Sequence, residues 1–363
     1  MTVRFLIVLL LVLIVGCDAT GSDEPAPAAA VALVANGGNF SDQNGSVSRL
    51  DLAAGAVQNG GAMEGFLQAV EFIEGGSIAL INTFSGGRVD LLGPDGSTVV
   101  GSVRDIDSPR DVVVIGERAY VTAFSFDGSG KVLTMNLGTG ALEGAPLEVG
   151  DYPEGIAATS THLFVAEAGF IGAGTTMSAI DLATGMRTSL DLACDGPRDV
   201  LTIPGDDVAV VCHGKTVYNA DFTEVLERTT GQVVFVDGAT LTIEDHILLD
   251  TQLGSTGGGQ AGAASLAYLL ALEGSASTIH RVDLATRSLL PSWTLGDQTA
   301  LAGVSGITSL GDGWLVGRMA RAAGGSFPDF TASGSVLHLD VSGSLLNEFV
   351  VGPAPTHLAT EQP

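Results

Sequence analysis

The stretch Ala179-Ile180-Asp181-Leu182-Ala183-Thr184-Gly185 decides the fold. An apolar strand runs into Asp181, whose short side chain can bond its own downstream backbone. Gly185 then supplies the positive φ that a tight return requires. The unit reads as a strand, a turn and an antiparallel return strand. The same junction of an apolar residue with Asp or Asn recurs at Leu50-Asp51, Val89-Asp90, Met135-Asn136, Val236-Asp237, Val282-Asp283 and Leu339-Asp340. Successive junctions lie 39, 46, 45, 56, 46 and 57 residues apart, the length of one four-stranded blade plus loop insertions. The spacing predicts an all-β, seven-bladed β-propeller.

Blades can be written out around these junctions. One runs Pro109 to Ile115, Arg118 to Phe124, Gly130 to Asn136 and Ala141 to Val149. The next runs Glu154 to Thr159, His162 to Glu167, Thr176 to Asp181 and Met186 to Leu192. The innermost strand often begins after a proline, as in Ser108-Pro109-Arg110-Asp111-Val112, Tyr152-Pro153-Glu154-Gly155-Ile156 and Gly196-Pro197-Arg198-Asp199-Val200. Proline is tolerated there because the first residue of a strand loses no ladder bond. In the sixth blade Leu266 to Leu272 suits a helix by composition, but its place in the repeat predicts a strand. The first recognisable strand, Val31 to Asn36, matches a second strand, so the first blade lacks an innermost one. Ala354-Pro355-Thr356-His357-Leu358-Ala359 repeats the proline start at the other end of the chain. The C-terminus is therefore expected to complete the first blade and close the ring, leaving no open edge.

In this architecture the loops between second and third strands share one face with the loops between blades. They are long here: Asn36 to Gly45, Phe124 to Gly130, Ala168 to Thr175, His213 to Gly231 and Arg318 to Gly334. Long loops on a rigid scaffold carry function. These are rich in aromatics, with Phe40, Phe84, Phe124, Phe126, Phe170, Tyr218, Phe327 and Phe330, and Tyr152 lies on an inter-blade loop. Exposed aromatics in a group mark a contact surface, and this face is the expected ligand-binding site.

The N-terminus reads as an address. Arg4 precedes 11 apolar residues, Phe5 to Val15, and then Gly16-Cys17. This is a secretory signal, too short to span a bilayer comfortably. Ile14-Val15-Gly16-Cys17 resembles the bacterial lipobox, which makes Cys17 the lipidation site and residues 1–17 the signal. Residues 18–30 hold two prolines, five alanines and the pair Asp23-Glu24, and read as a flexible tether to a domain spanning 31–363. The acidic pair resembles a surface-export signal. The expected location is the outer face of a bacterial outer membrane, reached through the lipid anchor alone.

Composition narrows the chemistry. There are 41 acidic and 15 basic residues, a formal net charge of −26, and only two lysines, Lys131 and Lys215. Nucleic acid is excluded as a partner, since phosphate binding needs a basic surface. Beyond Cys17 there are two cysteines. Cys194 enters the fifth blade and Cys212 ends that blade's second strand; the turn at Pro204 to Asp207 brings them together, and export favours a disulfide. Gly257-Gly258-Gly259-Gln260-Ala261-Gly262 matches G-x-G-x-x-G but lacks the βαβ context of a dinucleotide site. Histidines occur singly, at 162, 213, 246, 280, 338 and 357, with His213 and His357 nearest the long-loop face. Asp105-x-Asp107 and Asp206-Asp207 read as turn residues. A propeller enzyme would gather carboxylates and histidines at the central channel, and no such gathering is visible. The sequence thus predicts no catalytic residues, no metal and no cofactor.

Val34-Ala-Asn-Gly-Gly-Asn-Phe-Ser-Asp-Gln-Asn-Gly-Ser-Val-Ser-Arg-Leu-Asp51 resembles the opening blade of the YncE-like, YVTN-type propeller proteins. Gly150-Asp-Tyr-Pro-Glu-Gly-Ile156, Leu163-Phe-Val-Ala166 and Ala179 to Gly185 are similar to their internal repeat. The similarity covers most of residues 31 to 360 and is weakest from 215 to 275. One branch with the Asn-x-Gly-Asn-Phe opening comprises surface lipoproteins that capture cobalamin and pass it to an outer-membrane transporter. The resemblance therefore implies a non-enzymatic binder of cobalamin or a similar bulky nutrient. An envelope protein-interaction scaffold is the alternative, and a propeller lactonase or lyase the second. No ligand motif matches position by position, so no binding residue is carried over.

Overall fold

A computed structural model describes residues 31–84, 86–221, 223–253, 266–273, 276–294, 301–310, 313–322 and 328–361. Cys17, Phe327 and the Gly257–Gly262 stretch lie outside them. Among the described residues there is no α-helix, only a short 3-10 turn at Phe170–Gly172. Among the described residues the named strands pair antiparallel, most of them with the strand next in sequence, as hairpin-joined strands must.

The sheets follow the repeat. Phe66–Ile73, Gly76–Thr83, Gly86–Leu92 and Val99–Ile106 form one; Pro109–Ile115, Arg118–Phe124, Gly130–Asn136 and Ala141–Val149 form the next. Pro153–Ala158, His162–Glu167, Thr176–Asp181 and Arg187–Asp191 follow. Then come Pro197–Ile203, Asp207–Cys212, Gln232–Asp237 and Thr242–Leu248, whose long loop carries an extra hairpin, Thr216–Tyr218 with Val225–Arg228. Leu266–Glu273 is a strand, paired with Ala276–Asp283 and through it with Ser288–Thr294. The last sheet is Leu301–Ser309, Gly313–Arg321, Ser333–Asp340 and Leu345–Pro353, with Pro328–Asp329 added beside Gly313–Arg321.

The first and last strands of the described region meet in one sheet. Pro355–Thr360 pairs with Val31–Asn36, which continues to Ser46–Asp51 and Ala56–Asn59. The buried apolar side chains gather between sheets rather than at one centre. Val34 and Leu50 pack with Val336, Phe349 and Val351 of the last sheet, while Leu33 and Val47 pack with Val70 and Ile81 of the following one. Phe164 sits between the sheets from 153 and 197, and Trp314 packs with Ile279.

The Asp turns close as their chemistry requires. Asp181 Oδ1 accepts the N–H groups of Ala183 and Thr184 at 2.9 and 2.7 Å, and Asp237 Oδ1 those of Ala239 and Thr240 at 2.9 and 2.7 Å. These bonds hold both carboxyls below their usual range. Asp90 departs from the pattern. Its strand runs on to Leu92, and Asp90 is buried, paired with Arg88 at 2.9 Å and bonded by Ser102 at 2.6 Å. The turn role passes to Asp95, which accepts the N–H groups of Ser97 and Thr98. An acid two residues before a strand's end reads like a turn acid, and only its buried Arg partner distinguishes it.

Candidate functional site

The innermost strands surround a central cavity of about 330 Å³. Its lining includes Gln68, Arg110, Asp111, Glu154, Arg198, Asp199, His213, Ser305, Thr356 and His357. The proline starts explain how these residues arrive there. In each case the ladder skips one residue just after the start: Pro109 and Val112 face Ala123 and Val121, Pro153 and Ile156 face Glu167 and Val165, and Pro197 and Asp199 face Cys212 and Val211. The C-terminal strand does the same, with Pro355 and His357 opposite Asn36 and Ala35. A β-bulge re-aims the side chains beside it. Repeated around the ring, it delivers Arg110-Asp111, Glu154, Arg198-Asp199 and Thr356-His357 to one channel. Gly155 permits the crowding, because a Cβ there would lie 2.6 Å from the Arg198 carbonyl oxygen.

Glu154 organises the positive charge. Arg110 donates to its carboxylate through Nε and Nη2 at 2.8 and 3.0 Å and to Gln68 Oε1 at 3.0 Å. Arg198 Nη2 reaches the same carboxylate at 3.5 Å. Buried Thr122 donates to the Glu154 carbonyl at 2.7 Å and accepts the Asp111 N–H at 3.0 Å, tying two innermost strands together.

Three channel-lining groups, and Glu71 on the innermost strand Phe66–Ile73, have shifted titrations. Burial pushes Asp111 up to about 7 against the N–H bonds it accepts from Ile156 and Val112, with Asp199 and Glu154 adding repulsion. Burial likewise pushes Glu71 up to about 7, opposed by the Phe72 N–H. His213 and His357 are held below the usual imidazole value by burial, although the Asp199 carboxylate pulls both the other way.

The linkage has opposite signs for the two types. The unfolded chain releases the Asp111 and Glu71 protons near 4, whereas the folded protein keeps them to about 7. Their contribution therefore declines as pH rises through that window. The buried imidazoles lose stability as pH falls below about 6.5, where only the unfolded chain protonates. Glu71→Gln keeps the acceptor for the Phe72 N–H and should flatten the decline in melting temperature between about pH 5 and 8. An unchanged slope would contradict the burial of this carboxyl.

Around the channel mouth the predicted aromatics fall into two groups. Phe40, Phe84 and Phe126 line a groove of about 560 Å³ together with Phe66, Gln68 and Arg110. Phe40 stacks edge-on against Phe84 at 4.9 Å and lies 6.5 Å from Phe66. Tyr152, Phe170, His213 and Tyr218 line a second groove of about 420 Å³ with Glu154 and Arg198. Phe124 contacts Tyr152 at 5.0 Å and carries the Arg110 guanidinium over its ring at 5.8 Å, and Tyr152 continues to Phe170 at 5.7 Å. Phe126 and Phe84 are the most exposed, at 106% and 68%. Phe330 lies beside Pro328–Asp329 and lines neither groove.

At the channel the structure corrects one expectation and adds one residue. Carboxylates and histidines do gather at the channel, as Asp111, Glu154, Asp199, His213 and His357. Arg-Asp directly after the strand-start prolines was the available signal: it reads as strand chemistry until the bulge is known. Phe66 was missed because it opens an innermost strand rather than a loop.

Cys194 and Cys212 are joined by a disulfide, their Cα atoms 6.2 Å apart. Both are buried among Phe164, Met177 and Val210, and His213 follows directly. The bond thereby fixes the segment that places His213 over the channel. The Cys194→Ala/Cys212→Ala protein should unfold about 3 kcal/mol more easily in denaturant titration, from the entropy of the freed loop. A loss below about 0.5 kcal/mol would show that the surrounding sheet already holds these ends.

Comparison with solved structures gives the fold. A functionally unknown protein from Desulfotomaculum acetoxidans DSM 771 matches with a TM-score of 0.65 at 10% identity, over 92% of this chain and 99% of that one. The β-propeller domain of Myceliophteria thermophila Cps50 (Swd1) matches with a TM-score of 0.54 at 10% identity, over 79% and 93%. Dihydro-heme d1 dehydrogenase NirN, solved in complex with DHE, matches with a TM-score of 0.53 at 13% identity, over 91% and 74%. No family model and no curated protein matches the sequence. The chain is a β-propeller, and at these identities the likeness carries nothing about its chemistry.

Proposed function

We propose that this chain is a seven-bladed, YncE-like surface lipoprotein that binds a bulky small-molecule nutrient for delivery to an outer-membrane transporter. Cobalamin or a related corrinoid is the favoured ligand. The anchor is a lipid on Cys17, the tether 18–30, and the binding domain 31–363. Hydrophobic clusters joining each sheet to the next, and the last to the first, support the count of seven.

One observation carries the binding reading. The aromatic grooves and the charged channel form one basin, because Gln68 and Arg110 line both the first groove and the channel, while Glu154, Arg198 and His213 line the channel and the second. Its aromatic walls suit the faces of a large ring system, and its polar floor suits hydrogen-bonding substituents. The basin is wide and open, as a site that must hand over its ligand should be. The protein is read as a non-enzymatic binder needing no cofactor. The exposed Phe84, Phe126 and Phe170 equally suit an envelope scaffold, which would take a protein partner and no small molecule. A hydrolase or lyase is favoured by one observation, the Asp111, Asp199 and His213 set in the channel.

Calorimetric titration of the protein with cobalamin tests the favoured reading. The expected result is one molecule bound at micromolar affinity or better, weakened at least about tenfold in Phe84→Ala/Phe170→Ala. Absence of heat at micromolar cobalamin removes the corrinoid. Turnover of lactone or polyanionic sugar substrates, lost in Asp111→Asn, would favour the enzyme.

A further inference from the structure

The turn Phe170–Gly172, which lines the second groove, has a backbone that its sequence disfavours. Ile171 sits at φ 56° and ψ 34°, in the left-handed region. That conformation presses Cβ toward the following carbonyl oxygen, and a β-branched residue rarely adopts it. Burial of the side chain can offset such strain, but Ile171 is 51% exposed and its neighbour Phe170 64%. The rest of the chain therefore gives this isoleucine little in return.

Tyr152 repeats the pattern in the same groove, with φ 50° directly before Pro153. The fold asks for a left-handed residue at several strand starts: Ser108, Gly196 and Ala354 also precede prolines, at φ 37°, 62° and 53°. Gly196 meets that demand with no Cβ, and serine and alanine with a small side chain. A tyrosine ring is not needed to make the turn. The Tyr152 N–H donates to the Gly128 carbonyl at 2.9 Å, and the Tyr152 carbonyl accepts the Ala168 N–H at 3.1 Å. The backbone that holds the ring thus also joins two long loops. Strained residues persist where their surroundings fix them, and they gather at ligand clamps.

The chemistry of the groove defines its occupant. Tyr152, Phe170 and Ile171 give it apolar and aromatic surface, and Tyr218 lines the same space of about 420 Å³. Glu154 and Arg198 lie 3.5 Å apart in it, so its charges are paired and a neutral polar group suits them better than an ion. We propose that the second groove is a preformed clamp for a neutral, planar aromatic ring with a polar edge, and that Tyr152 and Ile171 hold disfavoured backbone so that their side chains meet that ring. The clamp rests on, and narrows, the reading of this groove as part of the binding basin. Aromatic faces attract beyond the gain from buried area, and a carboxamide edge can accept from Arg198 and donate to Glu154.

The test uses benzamide, with cyclohexanecarboxamide as the saturated control of similar size, in saturation-transfer NMR titrations of the full chain, alongside thermal melts. Benzamide is expected to bind saturably, and cyclohexanecarboxamide at least about threefold more weakly. Ile171→Gly and Tyr152→Gly are each expected to weaken benzamide by about threefold or more. Ile171→Gly should nevertheless melt at or above wild type, by up to about 2 °C, because glycine takes the left-handed turn freely. Ile171→Asn, which also tolerates that region, gives the same two readings should glycine loosen the turn. The clamp is overturned by any of four results: no saturable benzamide binding, equal binding of the saturated control, affinity unchanged in both glycine variants, or melting lowered in both Ile171 variants. Cobalamin binding alongside such a failure would leave the proposed function standing without the clamp. Benzamide binding that depends on Ile171 and Tyr152, with no cobalamin binding, would support the clamp and remove the corrinoid.

Discussion

Deletion of residues 353–363 abolishes cooperative folding, whereas deletion of 18–28 leaves the melting temperature unchanged. Pro355–Thr360 is the innermost strand of the sheet that contains Val31–Asn36, with Ala32 opposite Thr360 and Val34 opposite Leu358. Its removal strips one ladder from Val31–Asn36, takes the buried Leu358 and Ala359 out of the core, and uncovers Val34, Leu315 and Val336, which cluster with Leu358. It also breaks contacts to the last sheet, where Ser305 Oγ donates to the Pro355 carbonyl at 2.5 Å and Thr360 Oγ1 to that of Ser309 at 3.2 Å. The Gly37 N–H loses the Ala354 carbonyl at 2.7 Å. Each buried backbone group left unpaired costs about 1–3 kcal/mol, and several such losses exceed the 5–15 kcal/mol by which proteins are typically stable. Thermal melts of the two truncated proteins check this. Equal stability would mean that the C-terminal strand does not hold the ring.

Glu154→Ala lowers stability by about 2 kcal/mol and alters the channel's electrostatics. Glu154 receives both Arg110 and Arg198, and the Arg110 and Glu154 side chains are 17% and 16% exposed. Removing one partner of a largely buried pair leaves the other charge uncompensated, although Gln68 and the Phe124 ring still hold Arg110. Glu154→Gln keeps an acceptor for Arg110 and costs less. It also removes one source of the repulsion on Asp111, so the Asp111 carboxyl falls from about 7 toward the ordinary range. Denaturant titration reads the first effect and carboxyl-selective NMR the second. A Glu154→Ala protein as stable as wild type would show that the two arginines are already solvated.

The repeat was legible because it is built from local chemistry. Asp181, Asp237, Asp283 and Asp340 each close a turn through their own downstream N–H groups, so four or five consecutive residues carry the signal. Chain closure was legible for a related reason: proline at a strand start is a constraint visible within the strand itself. The channel was less so. Its residues come from separate innermost strands, and single-residue bulges turn them toward the lumen. Alternation of apolar and polar residues predicts side-chain direction only in a regular strand; one extra residue reverses it. Asp90 misled for the opposite reason, since its partner Arg88 lies only two residues away yet is seen as a partner only once both are buried. The aromatic rim was legible as a set of loop residues, but its division into two grooves on either side of Arg110 and Glu154 depends on the sheet positions.

Amide hydrogen exchange of the protein with and without cobalamin tests the central claim, that the aromatic rim and channel form one ligand-binding basin. The prediction is slowed exchange in the loops 37–45, 124–130 and 168–175 and in the strand starts at 110–112 and 154–156. Slowed exchange confined to the opposite-face turns at 116–117 and 204–207, or none anywhere, would contradict it.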